Sequence, residues 1–496
     1  MSQGKRMKTE DTATSKKGRK DNKALDTFFK LVAFAYVVIT IIFYISILKM
    51  NLLPGWVIAI FTGAEIIFTV AMVIGLVKRH KTYTLTVISL IIILFVSGIY
   101  IYVTNYALAT ISFLGDVFQE TKETDEYYII VRKDSSYDKV EDVKDKNVHF
   151  FQVADDVKSN LTKKVSVTLV NQENLLDLGN KLLGKNVDVI LISATQYSML
   201  GDEIKNFKEN TKILYTEKHE IQTNTKVEET ASKYSIKSGK FNVYISGIDT
   251  SGSISNVSRS DANILATVNT DTHEVLLTSI PRDYYVTLHS YGAKDKLTHS
   301  GIYGVNETVK TVEDLLDTEI DYYVRVNFTT VIKLVDKLGG IAVYSDYDFT
   351  TTSGYTHYTF KKGYNYNVKG EAALAFSRER YAFEAGDNQR VKNQQHVIEA
   401  VMKKVLNSTT LLTKYTSILD SLKGSFQTNI EQEDISKLVK DQINNMSSWT
   451  INSNSLTGTG ASSSTYSMGS TKLYVMVPNA KSVTSAKEKI DEVLGE

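Results

Sequence analysis

The chain contains no cysteine and only three prolines and two tryptophans among its 496 residues. Without thiols, disulfide scaffolds, thiol nucleophiles and Cys-ligated zinc are excluded, and nothing reports a redox compartment. An excess of one charge is missing too: 57 Lys and Arg against 56 Asp and Glu leave a formal net charge of +1. No nucleic-acid partner is therefore expected. There is no GxxxxGK[ST] loop, so P-loop nucleotide hydrolysis is unsupported. The histidines show neither zinc-ligand spacing nor a Ser, His and Asp arrangement for acyl transfer, and His299 reads as a hydrogen-bonded structural residue.

Apolar sequence is plentiful, and much of it stands near the N-terminus. Residues 1–27 carry Lys5, Arg6, Lys8, Lys16, Lys17, Arg19, Lys20 and Lys23 with few apolar side chains, the pattern of a disordered tail. Residues 28–104 hold three apolar runs, Phe28–Leu48, Trp56–Val77 and Tyr83–Val103, each near the ~20 residues that a membrane-spanning helix needs. The basic tail and the loop Lys78-Arg79-His80-Lys81 belong on the cytoplasmic side, whereas the turn Asn51–Gly55 has only Lys49 beside it. The expectation is a multi-pass cell-membrane protein whose large C-terminal part, from about Asn105, is extracytoplasmic. Glu65 falls inside the second run; a functional acid and one packed against neighbouring helices are both open readings.

Beyond the membrane, residues 105–232 read as a small α/β domain. Strand-like runs NVHF, VSVTLV, VDVILIS and KILYT alternate with helical stretches such as Asn171–Leu183, and no chemistry is evident in them. A polar linker is expected over Glu220–Gly239. The rest, residues 239–496, alternates strands and helices in the manner of an α-β-α sandwich around a central mixed sheet, so the fold class is α/β. Ser447–Ser470, rich in Ser, Thr and Gly, is expected as a surface loop.

The chemistry gathers in this last part. Asp249 ends the apolar strand FNVYISGID, and Asp261 stands beyond the Ser-rich loop that follows. Two acids flanking one loop can converge on a cation; an Asx-turn and an N-cap would place the same residues. Pro281 precedes Arg282 and fixes the turn that carries it. Ser377–Gln395 concentrates guanidinium groups: Arg378 and Arg380 share a face if the segment is extended, and Asp387, Arg390 and Gln394 recur at helical spacing ahead of Val397, Ile398, Val401, Met402 and Val405. A helix start with bidentate donors suits a pyrophosphate, while a solvated face pairing Glu379, Glu384 and Asp387 with the basic residues remains the plainer alternative. Arg259, Arg282, Arg378, Arg380 and Arg390 together outnumber what one ion-pair network requires.

These residues stand in motifs that resemble a known family. GIDTSG with Asp249, VSRSDAN with Arg259 and Asp261, IPRD with Arg282, KLTH with Lys296, SRER with Arg378 and Arg380, and GDNQRVKNQQ with Asp387, Arg390 and Gln394 occur in the order found in LytR-CpsA-Psr proteins of the streptococcal capsule or exopolysaccharide type. The likeness is strongest over residues 240–406. Lys392 stands where many relatives have arginine; it keeps the charge and loses the fork.

The resemblance implies a Gram-positive, extracytoplasmic phosphotransferase. It would move a capsular polysaccharide or exopolysaccharide from an undecaprenyl-pyrophosphate carrier to peptidoglycan through a phosphodiester. It further implies Mg²⁺ or Mn²⁺ on Asp249 and Asp261, and a pyrophosphate held by Arg259, Arg282, Lys296, Arg378, Arg380, Arg390 and Gln394. Catalytic work would fall to Arg259, Arg282, Arg378 and Arg380, with Asp387 or a metal-bound hydroxyl as base, and an apolar cavity would accept the polyprenyl tail. Two alternatives remain: a membrane-anchored regulator or scaffold contacting the capsule-synthesis kinase and polymerase machinery, and a polyprenyl pyrophosphatase using water at the same site.

Overall fold

The computed structural model describes residues 23–50, 53, 55–78, 84–117, 123–221, 235–248, 254, 257–352, 356–406, 426–431, 433–435, 437, 438, 441 and 448–496. The chain divides into two compact units, up to Leu108 and from Ala109 onward.

The apolar runs form helices Lys23–Met50, Gly55–Val77 and Thr84–Val117, the last of which runs past the end of the first unit, and all three are long and apolar enough to cross a membrane. The third helix continues past the expected end near residue 104, because helix-forming sequence carries on to Val117. Tyr36, Phe43, Ile47, Leu76, Ile93 and Tyr100 pack between the helices, with the Phe43 and Tyr100 rings 4.3 Å apart. Glu65 points into that packing: Oε2 accepts from the Tyr100 hydroxyl at 2.6 Å and Oε1 from Thr69 at 3.2 Å. The packed reading of this acid is the one observed. The basic tail lies outside the described residues.

Among the described residues the second unit is built on two large sheets, with four two-stranded sheets beside them. The N-terminal five strands are ordered Thr168–Asn171, Asn147–Phe150, Val189–Ser193, Glu123–Arg132 and Thr211–Ile221. The first three run parallel and the last two antiparallel. Val189–Ser193 is buried along its whole length, as a central strand covered on both faces must be. Helices Asp155–Lys164, Leu175–Leu183 and Ala194–Glu203 cover the sheet.

The second sheet has six strands, in the order Phe426–Thr428, Tyr322–Asn327, Lys240–Ile248, Ser260–Asn269, Glu274–Ile280 and Thr450–Ser455. Alternation along these strands sends Tyr244, Leu265 and Leu276 to one face, under helices Val305–Leu316 and Ala480–Leu494. Phe241, Val243, Ile264 and Leu277 face the other side, against Ile398 and Met402 of the helix Asp387–Leu406. That is the expected sandwich.

One expectation changes. Ser447–Ser470 is not a loop: Thr450–Ser455 extends the sheet edge beside Glu274–Ile280, and Gly458–Thr465 pairs antiparallel with Gly469–Pro478. Its small polar residues satisfy a sheet edge and the largely exposed first strand of a hairpin, where polarity does not oppose strand formation. The two sheets also form one body, with Met468 and Leu473 of that hairpin inside the core of the N-terminal sheet. Gly469 makes this approach possible. It has φ +79, and a Cβ there would come 2.4 Å from the Glu173 carbonyl oxygen. Most of the expected linker, residues 222–234, lies outside the described residues.

Candidate functional site

Strands Lys240–Ile248 and Ser260–Asn269 lose register between Gly247 and Ile248, a bulge at the rim where a site is commonly built. It leaves Arg259 and Asp261 at the start of a buried strand. The Pro281 turn brings Arg282 alongside, and Nη1 of Arg282 lies 2.6 Å from Oδ1 of Asp261. Thr298 Oγ1 donates to the same oxygen at 3.0 Å. Burial pushes the Asp261 carboxyl up, but the Arg282, Arg259 and Arg390 guanidiniums and the Thr298 hydrogen bond outweigh it and hold the group below the ordinary carboxylate range.

One cleft of about 1120 Å³ collects these residues. Arg259, Asp261, Arg282, Lys296, Arg378, Arg380, Arg390 and Gln394, all singled out from the sequence, line it together. Lys296 pairs with Asp283 at 3.2 Å. Arg390 and Gln394 stand one turn apart on the helix Asp387–Leu406, with Arg390 buried. Lys392, two residues on, is exposed. The geometry around Arg378 differs from the extended segment expected: helix Gly370–Arg378 ends on that arginine, and the chain becomes extended only at Glu379. The two arginines still reach the same cleft. Arg380 lies over the Tyr381 ring, 4.5 Å from its centroid.

Glu379 does not join a solvated face. It is 1 % exposed and accepts from the backbone N–H groups of Thr352, Arg380, Tyr381 and Ala382 and from the Thr352 hydroxyl. Burial pushes its carboxyl up, and these hydrogen bonds prevail and lower it. Between two arginines, the glutamate folds the loop that presents them. The apolar lining is part of the same cleft and includes Ile332, Leu374 and Ala375 on two adjacent helices.

Sequence reasoning missed one wall. Met199, Gly201, Asp202 and Glu203, from the end of the helix Ala194–Glu203, line the cleft, and Asp202 Oδ2 lies 2.7 Å from Arg259 Nη1. No signal in the helix itself marks these residues. Asp249 is outside the described residues, as is the side chain of Asp387, whose backbone begins its helix. Among the described residues no group of three or more His, Asp or Glu could hold a metal ion. Asp261 offers Oδ2, which makes no hydrogen bond with a described residue. One carboxylate oxygen beside phosphate oxygens fits the way Mg²⁺ is usually held.

The LytR_cpsA_psr family description matches residues 207–489, more than half of the chain. The chain belongs to the LytR_cpsA_psr family. Among curated members, the polyisoprenyl-teichoic acid–peptidoglycan teichoic acid transferase TagU of Bacillus cereus is 34% identical over 209 residues, 42% of this chain and 66% of that protein. Biofilm regulatory protein A of Streptococcus mutans is 31% identical over 278 residues, 52% of this chain and 64% of that one. The chain thus spans somewhat less than two thirds of the length of these LytR_cpsA_psr relatives. A crystal structure of a Streptococcus agalactiae protein is 28% identical with a TM-score of 0.45, covering 52% of this chain and 89% of that one.

Proposed function

We propose that this LytR_cpsA_psr protein transfers a glycopolymer from a polyprenyl-pyrophosphate carrier to peptidoglycan, outside the membrane. The polymer class we favour is a capsular polysaccharide or exopolysaccharide. The observation that carries the reading is the convergence of Arg259, Arg282, Arg378, Arg380 and Arg390 with Asp261 on one cleft, a density of guanidinium that suits a pyrophosphate and its developing charge. The names of curated relatives such as TagU agree with transfer to peptidoglycan. The three apolar helices supply an anchor that would hold the cleft near its lipid-linked donor, with the basic tail on the cytoplasmic side.

In this mechanism the arginines bind the pyrophosphate and orient the sugar-side phosphorus toward an acceptor hydroxyl. Arg282 is fixed by Asp261 and Asp283, so its donors need little reorganisation as charge develops. Ile332, Leu374 and Ala375 offer apolar surface to the first part of the polyprenyl chain. Asp261, together with Asp249, would hold Mg²⁺ or Mn²⁺, which would supply further neutralisation of phosphate charge.

The test is Arg378→Ala in the full chain, reading polymer covalently attached to peptidoglycan at unchanged protein level. Loss of attachment is expected. Normal attachment, with a defect only on removing residues 1–23, would favour a scaffold. An assay containing acceptor glycan separates transfer from hydrolysis: product without the phosphodiester linkage would make the protein a pyrophosphatase.

A further inference from the structure

Asp295 is fully buried, and both its oxygens are engaged. Oδ1 accepts from the Lys296 backbone N–H at 2.7 Å and lies 2.7 Å from Nδ1 of His299, and Oδ2 accepts from the Ser467 N–H at 2.7 Å. The Ser467 hydroxyl is also 2.7 Å from Nδ1. His299 sits on the short helix Leu297–Ser300, which is pressed onto the strand start that carries Arg259. A Cβ at Gly301 would come 2.6 Å from the Ser258 carbonyl oxygen, so only glycine permits this approach.

His299 is 4 % exposed, yet it lines the cleft. Its neighbour Thr298 donates to Asp261, which places the ring one residue from the arginine cage. A carboxylate only accepts, so the contact with Asp295 assigns the ring proton to Nδ1 and leaves Nε2 its lone pair, and Nε2 makes no hydrogen bond with a described residue. A histidine that only tied two segments together would use Nδ1 and gain nothing from a place on the cleft wall.

We propose that His299, oriented by Asp295, is the general base that deprotonates the acceptor hydroxyl. The inference rests on the transfer reading above. As the hydroxyl oxygen bonds to the sugar-side phosphorus, its proton passes to Nε2 of His299. The bond from that phosphorus to the bridging oxygen breaks, and polyprenyl monophosphate leaves with the electron pair. The imidazolium then returns its proton to the departing phosphate or to solvent. Asp295 is a positioning residue, since it acts through the ring.

The titratable and charged groups around the dyad set its pH response. Lys296 and Asp283 form a pair beside it, and Asp202 and Glu203 line the same cleft from the helix Ala194–Glu203. Tyr303 is packed nearby, and burial followed by the Asp295 charge pushes its phenol well up. Arg259 and Arg282 complete the cationic side.

The experiment uses the full chain in detergent with a short polyprenyl-pyrophosphate-linked oligosaccharide and a peptidoglycan oligomer. Single-turnover formation of the phosphodiester is followed between about pH 5 and 8. His299→Gln is expected to lower the transfer rate by ~10²-fold or more while retaining the lipid-linked donor, and to abolish the acidic limb of the pH profile. Asp295→Asn should move that limb and lower the rate with donor binding intact. Wild-type rates in His299→Gln, or a loss in which donor retention and melting temperature fall together, overturn the assignment. If His299→Gln does not fold, a wild-type profile without an acidic limb, together with unchanged transfer by Asp295→Asn, overturns it equally. If the wild-type chain forms no phosphodiester at all, the transfer reading fails first and the base assignment falls with it.

Discussion

Asp202 and Arg259 meet at 2.7 Å across two sheets, so the N-terminal α/β layer contributes a carboxylate to the arginine cage of the other. Asp202 is half exposed and Arg259 is buried, and the carboxylate occupies a donor, Nη1, that a phosphate would use.

Asp202→Asn should therefore bind a short prenyl pyrophosphate more tightly. The pair is partly solvated, which limits the gain to about 1 kcal/mol, or roughly fivefold in Kd by titration calorimetry. Unchanged or weaker binding would mean that Asp202 helps to position Arg259 for the ligand.

Arg282 and Arg378 should separate stability from function. Arg282 is paired with a largely buried Asp261, so Arg282→Ala is expected to cost about 3 kcal/mol in denaturant unfolding as well as donor binding. Arg378 is exposed at a helix end, and Arg378→Ala should lose attachment activity with stability changed by no more than ~0.5 kcal/mol. Equal unfolding midpoints for the two variants would contradict this division.

Glu379→Gln should loosen the loop that carries Arg378 and Arg380, by about 2 kcal/mol at neutral pH, since the neutral amide accepts fewer and weaker hydrogen bonds. The carboxyl is lowered in the folded chain, so its stabilisation is present above the unfolded value of about 4.3 and is lost as pH falls through the lower folded value. The difference in melting temperature between wild type and Glu379→Gln should accordingly shrink below pH ~4. A difference independent of pH would show that the effect is packing.

Chelation should lower phosphodiester formation by the full chain, and added Mg²⁺ or Mn²⁺ should restore it. Asp261→Asn should respond to neither. Full activity of the wild-type chain in excess chelator would remove the metal from the mechanism.

The cleft was legible in the sequence where side chains are announced by local pattern. Pro281 marks the Arg282 turn, and Arg390 and Gln394 repeat at helical spacing, so their shared face follows from the helix alone. Glu379 was not legible. An acid between two arginines looks like an ion-pair partner, and only the folded loop turns it inward onto four backbone N–H groups. The strand Thr450–Ser455 was hidden for a related reason: its polar composition reads as loop until the edge of Glu274–Ile280 offers it hydrogen bonds.

By itself the sequence determined the three apolar helices, the alternating α/β order and the set of cationic residues, because each depends on interactions within a few residues or turns of the chain. Tertiary structure alone decided that Asp202 faces Arg259 and that Ser467 holds Asp295 behind His299. Those partners lie 57 and 172 positions apart, and no periodicity in a single segment encodes a contact made by packing one sheet against another.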